Sequence, residues 1–306
     1  MTVLAFDTRN YTTSVAAFDG DKGHNISRLL DVEQGSLGLR QSDALFAHVK
    51  RLPELTDRLF SDLGKSEICA IGVSTRPRAV EGSYMPCFLA GHSQAKVLAS
   101  VLNVPLFEFS HQQGHVAASL WSSDHMELMD EPHLAWHLSG GTTELLYITP
   151  EGTSVHAEKI GGTTDISAGQ LIDRTGKLLG LPFPSGKHID ALSRDAIDRS
   201  VFRVKVQGTE FSLSGVQNKV EQYHNDNACE TAAYALRCLI GAIAKATENA
   251  QKQYDCKVVF SGGVASNSML RERCGDYGIF CPPQYSTDNA LGTAVLTWRA
   301  YHAANL

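Results

Sequence analysis

The sequence has no C-x-x-C pair. Its seven cysteines (Cys69, Cys87, Cys229, Cys238, Cys256, Cys274 and Cys281) are odd in number and widely spaced. That spacing argues against both a disulfide framework and a thiolate zinc site, and leaves inert thiols in a reducing compartment as the expectation. A long uncharged apolar run is also missing. The longest apolar stretch, Ala232 to Ala246, carries Arg237 and Lys245, so it is expected to be a core helix rather than a membrane span. Asp7 falls too early for the apolar region of a signal peptide, and a cytoplasmic location is the resulting expectation. Basic charge is not in excess either: 27 Lys and Arg stand against 33 Asp and Glu, a net charge of -6. A molecule of that charge repels phosphate as a whole, so any contact with nucleic acid has to come from a local patch. Low-complexity linkers and short-period repeats are absent as well.

What is present is an ordinary enzyme composition, 43% hydrophobic and 20% charged in 306 residues, enough for two domains or one large one. Val3 to Asp7 and Thr13 to Phe18 read as a hairpin around a polar turn at Arg9-Asn10. Ile68 to Ser74 and Val104 to Phe109 read as strands with a helix, Leu89 to Leu102, between them. The same opening recurs later. His133 to Ser139 and Thr143 to Thr149 are strand-like around Gly140-Gly141, and Ser154 to Lys159 follows as a third strand. Helices are expected over Ser167 to Leu179, Lys187 to Ala196 and Cys229 to Tyr254, then a buried strand over Lys257 to Phe260 and a last helix from Asp288. Two β-rich openings, each followed by helices, point to a two-lobed α/β protein with a duplicated core. That is the arrangement of the actin, sugar-kinase and heat-shock ATPase superfold. The expected division is an N-terminal lobe over 1–109, on which the helix 291–306 packs back, and a C-terminal lobe over 110–290.

Several segments carry chemistry. Ser110 is a good helix N-cap. If a helix starts there, His111 and His115 share one face with Cβ atoms roughly 5–6 Å apart, close enough for two imidazoles to share a metal. A zinc-protease reading fails, because the general-base position of H-E-x-x-H is Gln112 here. Leu138-Ser139-Gly140-Gly141-Thr142 joins two expected strands, and its glycines let backbone N–H groups approach phosphate oxygens. It also reads as a plain glycine-rich hairpin. Ser261-Gly262-Gly263-Val264-Ala265-Ser266-Asn267 leads from a buried strand to a helix, where Asn267 can bond a ribose or base, or Ser266 simply caps the helix. Asp173 and Asp190 flank the turn Pro184-Ser185-Gly186 and suit ribose hydroxyls, or form a solvated face. Asp288 stands at the start of the last helix, where an N-cap also explains it.

Taken in this order, the segments resemble the tRNA adenosine threonylcarbamoyltransferase family, once described as a sialoglycoprotein endopeptidase. The resemblance covers nearly the whole chain. It rests on His111-x-x-x-His115, Ser139-Gly140-Gly141, the run from Asp173 to Gly186, Phe211-Ser212-Leu213-Ser214-Gly215, Gly262 to Asn267, and Thr287-Asp288-Asn289. It implies the actin-like superfold and one divalent metal, iron or zinc, held by His111, His115 and Asp288. His137 is a further ligand candidate where some members have tyrosine. It also implies an adenine nucleotide on Leu138, Ser139, Gly140, Gly141, Thr142, Asp173, Gly186, Asp190 and Asn267. The implied reaction moves threonylcarbamoyl from its adenylate to the adenosine next to the tRNA anticodon. The implied partners are tRNA, a related scaffold subunit and an ATPase subunit. The sequence departs from the family at four places. The loop E-T-S-C-D-E-T is Asp7-Thr8-Arg9-Asn10-Tyr11-Thr12-Thr13, with two acidic positions lost. A Gly-Pro-Gly turn is Arg76-Pro77-Arg78, P-G-G is Pro184-Ser185-Gly186, and the usual His or Asn after S-G-G is Thr142. A paralogue with another acceptor, or an ATPase or kinase-like protein of the same superfold, are the competing readings.

Overall fold

The structure is a computed structural model of the chain and describes all residues except 10, 32–39, 65, 225–226, 286–289 and 305–306. The chain forms two compact units, one made of 1–131, 149–157 and 288–306, the other of 132–148 and 158–287.

In the first unit, β1 (Thr2–Arg9), β2 (Thr12–Phe18) and β3 (Gly23–Leu29) form an antiparallel meander. Helix α1 (Gln41–Leu63) leads to β4 (Ile68–Arg76), α2 (Phe88–Leu102) and β5 (Leu106–Ser110), and the two strands extend the sheet in parallel. The order is β3-β2-β1-β4-β5. Strands β1 and β2 are buried almost throughout, as strands covered on both faces are, and so they read as continuous apolar runs. Leu4, Phe6, Ile71 and Val73 of the sheet pack with Leu52, Leu55 and Leu59 of α1 and with Ala90, Ala95 and Ala99 of α2. Helix α3 (His111–Ser122) follows β5 without a loop.

The second unit centres on β6 (His133–Leu138), β7 (Thr143–Glu151) and β8 (Ser154–Thr163), whose hairpin tip, 149–157, belongs to the first unit. After them come α4 (Ala168–Leu178), α5 (Gly186–Ser193), the short β9 (Val206–Gln207) and β10 (Glu210–Phe211), and α6 (Ser214–Tyr223). The long α7 (Ala228–Tyr254), β11 (Val258–Ser261), α8 (Ser268–Cys274) and β12 (Gly278–Phe280) complete it. The sheet order is β12-β11-β6-β7-β8-β10-β9. Leu134, Trp136 and Leu138 of β6 share one core with Ala235, Leu239 and Ile243 of α7. The Trp136 indole N–H donates to Thr247 Oγ1 at 2.8 Å, which satisfies a fully buried polar group.

The chain returns to the first unit as α9 (Leu291–Ala304). Backbone packs on backbone here: a Cβ on Gly292 would stand 1.8 Å from the Gly114 carbonyl oxygen of α3. This contact corrects the expected boundary after residue 109. Helix α3 is held by α9, so His111 and His115 belong to the first unit and not to the C-terminal lobe. The expected helix start at Asp288 lies outside the described residues. Among the described residues, no helix is long and apolar enough to cross a membrane.

Candidate functional site

The second unit gathers the two glycine turns. Strands β6 and β11 run parallel, with Trp136 opposite Phe260 and His137 opposite Ser261, so both turns leave the sheet at the same end. Gly262 has φ +91°, and a Cβ on it would stand 2.2 Å from the Leu138 carbonyl oxygen. Only glycine fits that combination of backbone angle and close approach. On the other side, Ser167 caps α4 by accepting from the Gln170 N–H, and its hydroxyl donates to the Gly140 carbonyl. The Gly169 N–H donates to the Ser139 carbonyl at 3.2 Å. Within the turn, the Thr142 N–H donates to Ser139 Oγ at 3.0 Å and the Ser139 N–H to the Thr142 carbonyl at 2.8 Å. The turn is therefore braced from behind. In front, a Cβ on Gly140, Gly141 or Gly263 would meet nothing within 4 Å. That is the geometry of a fixed backbone loop facing open space, and it suits a flat or anionic ligand.

The carboxylates expected beside these turns are tied into the chain. Asp173 Oδ1 accepts from the Ser185 N–H at 2.8 Å, which fixes the turn before α5, whose first residue, Gly186, is exposed. Asp190 Oδ1 accepts from Asn267 Nδ2 at 2.7 Å and from the Ser268 N–H and hydroxyl at 2.8 Å each. Its Oδ2 accepts from Arg194 at 2.8 Å. Asn267, not Ser266, is the N-cap of α8, accepting from the Leu270 N–H at 3.0 Å. Asp190 and Asn267 thus hold each other, with both functional atoms of the amide in use.

Asp165 is a residue that sequence reasoning missed. Burial pushes its carboxyl up, but hydrogen bonds from the Ser212 and Ser214 hydroxyls and from the Leu213 and Ser214 N–H groups outweigh this and hold it well below the usual carboxylate range. The Phe211-to-Gly215 motif is the partner of this carboxylate. The signal that could have found it is the pair of hydroxyls two residues apart.

The first unit brings His111 and His115 together on α3, with ring centroids 4.2 Å apart and planes at 86°. Ser110 and Gln113 form a capping box at the start of that helix, which fixes its first turn. His111 is only 3% exposed. Its Nδ1 lies 2.7 Å from Asp7 Oδ2, and Ser74 Oγ donates to the same oxygen at 3.1 Å. On the other side of the ring, Arg9 lies 2.9 Å from His111 Nε2. The expected metal set also includes Asp288 and His137, and the described residues include only the second of these. His137 stands on β6 of the second unit, opposite Glu144 and Ser261. Among the described residues no three of His, Cys, Asp and Glu form a metal-binding group. The Arg9 contact does not fit a metal. His111 Nε2 has a single lone pair, and a guanidinium, which only donates, lies on it. Arg76 and Arg78 are exposed beside α3, and the Pro77 carbonyl between them accepts from the Gln112 N–H at 3.0 Å.

The seven cysteines form no disulfide. Burial pushes the Cys87 thiol up to about 11, with Asp7 adding to the shift, and burial also raises Cys69, Cys238, Cys256 and Cys274. These five thiols are thereby kept from the thiolate form that a nucleophile needs.

A family model described as tRNA N6-adenosine threonylcarbamoyltransferase matches residues 34–295. The chain is similar to the tRNA N6-adenosine threonylcarbamoyltransferase of Carboxydothermus hydrogenoformans, with 31% identity over 98% of this chain and 92% of the relative. Its similarity to the Streptococcus suis protein of the same name is 29% over 99% of this chain and 94% of that one. Among solved structures it is similar to HypF of T. kodakarensis, with TM-score 0.59 and 14% identity over 99% of this chain and 48% of that one. It is also similar to a ROK hexokinase from Thermus thermophilus, with TM-score 0.52 and 15% identity over 99% and 100% of the two chains. At these identities the structures establish the fold alone, the actin-like ATPase and sugar-kinase class of two-sheet α/β proteins.

Proposed function

Because the chain belongs to the tRNA N6-adenosine threonylcarbamoyltransferase family, a family of transferases, we propose that it transfers threonylcarbamoyl from threonylcarbamoyl-adenylate to the exocyclic amine of the adenosine next to the tRNA anticodon. The donor is a mixed anhydride, so its carbonyl is already activated. The amine nitrogen attacks the carbonyl carbon, and the bond from that carbon to the phosphate oxygen breaks. AMP leaves with the electron pair, and the amine gives up a proton. The protein's tasks are to hold the AMP half, favour charge on the leaving phosphate and present the amine.

The observation that carries this reading is the pair of glycine turns, braced from behind and open in front, in a chain that matches the family over nearly its full length. On this reading the backbone N–H groups of Leu138 to Thr142 face the phosphate, where fixed donors stabilise the leaving anion. Gly263 clears room for the base. Asp173 sets the turn that presents Gly186. Asp190 and Asn267 act as positioning residues, since their polar atoms are bonded to each other and to α8. Arg76 and Arg78 are the local basic patch that a protein of net charge -6 needs to hold tRNA. A scaffold subunit and an ATPase subunit are the partners this reading takes from the family, and the cytoplasm is its place. Iron or zinc takes no part in this reading, since the Arg9 guanidinium lies on His111 Nε2.

A second reading keeps the chemistry and changes the acceptor. It is favoured by Arg76-Pro77-Arg78 where the family turn has two glycines, and by the altered run Asp7 to Thr13. AMP release from threonylcarbamoyl-adenylate, followed by phosphorus NMR with the partner subunits present, separates the two. Release that accelerates on adding unmodified tRNA supports the first reading. Release that ignores tRNA but responds to another amine supports the second. A donor that neither binds nor decays beyond its solution rate refutes both.

A further inference from the structure

The first unit carries its own cation at the histidine pair. A carboxylate only accepts, so the 2.7 Å contact of His111 Nδ1 with Asp7 Oδ2 puts the ring proton on Nδ1. A guanidinium only donates and does not lose its proton in proteins, so the 2.9 Å contact of Arg9 with His111 Nε2 makes Nε2 the acceptor. The two contacts together fix a neutral imidazole in one tautomer. The same tautomer is set when a carboxylate orients a metal-ligating histidine. The series here is carboxylate, imidazole, cation, and the cation is Arg9.

The surrounding residues fit this substitution. Asp7 is 2% exposed and its Oδ2 is further held by Ser74, so the anchor of the series is rigid. The aromatic ring of Phe88 lies 6.3 Å from the His111 ring and walls it on one side. Against the family string E-T-S-C-D-E-T, this loop gains a cation at Arg9 and loses two anions at Tyr11 and Thr12. The gained cation is the one that stands on the His111 ring, and each change makes the loop itself less attractive to a divalent ion.

We propose that Arg9 takes the place of the divalent metal in this chain, leaving His111 and His115 as a metal-free pair with a guanidinium as its fixed positive charge. Metal at Nε2 would stand about 2.0–2.1 Å from that nitrogen, and the one lone pair it needs is the one Arg9 holds. This proposal is independent of which acceptor the enzyme uses, because metal content is read without donor or tRNA.

The test is metal content by mass spectrometry after incubation with Zn²⁺ or Fe²⁺ and dialysis, on the parent, on Arg9→Ser and on Arg9→Ser combined with His115→Ala. The expected result is no stoichiometric metal in the parent, about one equivalent in Arg9→Ser and none in the double variant. The parent alone supplies a second readout, which stands even if Arg9→Ser fails to fold. The ¹⁵N shifts of the His111 ring should report a neutral Nδ1–H tautomer and stay unchanged on adding Zn²⁺. A parent that holds one equivalent lost in His111→Ala, or His111 shifts that move with stoichiometric Zn²⁺, overturns the proposal. A well-folded Arg9→Ser that still takes no metal overturns it too, because Arg9 would then not be what fills the place.

Discussion

At the scale of single residues, glycines divide into two kinds in the second unit, and the division makes a prediction. Gly262 is structural: its backbone angle is +91°, and a methyl group there would stand 2.2 Å from the Leu138 carbonyl oxygen, which leaves no room for a side chain. Gly140 faces open space and has no such constraint. Gly262→Ala should therefore cost about 2–4 kcal/mol, from strain and overpacking together, visible as a clear drop in melting temperature. Gly140→Ala should leave the melting temperature nearly unchanged and weaken binding of AMP measured by calorimetry, since it puts a methyl group where phosphate is proposed to sit. Equal melting temperatures for the two variants would be at odds with the packing of Gly262 on Leu138. Unchanged AMP affinity in Gly140→Ala would remove the S-G-G turn from the nucleotide site. Sequence alone exposed both glycine turns, but not which glycine does what, because that depends on a carbonyl 124 positions away from Gly262.

At the scale of elements, the apolar runs were legible and the mixed ones were not. Strands β1, β2, β4, β6 and β11 stand out because both faces are buried, and α7 because its apolar stripe is long. Strand β3 escapes notice, since Gly23 to Leu29 is largely exposed and polar. Helix α1 escapes it for two reasons. Pro53 sits inside the helix, and its buried face includes His48 and Arg51 beside Ala44, Leu52, Leu55 and Leu59. His48 also gives this helix a pH signature. It is fully buried, its Nδ1 lies 2.8 Å from Thr13 Oγ1, and burial holds its pKa down to about 4 although Asp7 pulls the other way. The unfolded chain binds a proton at this residue near pH 6.5 and the folded chain does not, so stability falls as pH drops from about 6.5 toward 4. The slope is on the order of 1.4 kcal/mol per pH unit from this group. Urea unfolding at about pH 7.5 and about pH 5 should show a parent weaker at the lower pH by roughly 2 kcal/mol, and His48→Gln should show a flatter dependence. A parent equally stable at both values would mean that His48 is not buried as a neutral ring.

At the scale of the whole molecule, the ordered motifs identify the family and the two sheets give the fold class, while the contact of Arg9 with the histidine pair is a feature of the folded chain alone. The i, i+4 spacing places the two rings on one turn of α3, and this was readable. The contact that changes their meaning links Arg9 to His111 across 102 positions, and no local pattern announces it. The run Asp7 to Thr13 shows only that family residues are replaced, and folding is what places the new cation at His111 Nε2. Everything proposed for the glycine turns and the arginine patch depends on the transfer itself. It is read by incubating the protein and its partner subunits with threonylcarbamoyl-adenylate and unmodified tRNA in the presence of a chelator, followed by digestion and nucleoside mass spectrometry. Threonylcarbamoyl-adenosine should accumulate at the position next to the anticodon, and the chelator should not abolish it. Absence of that nucleoside both with and without the chelator, with donor bound and partners present, would refute the transfer.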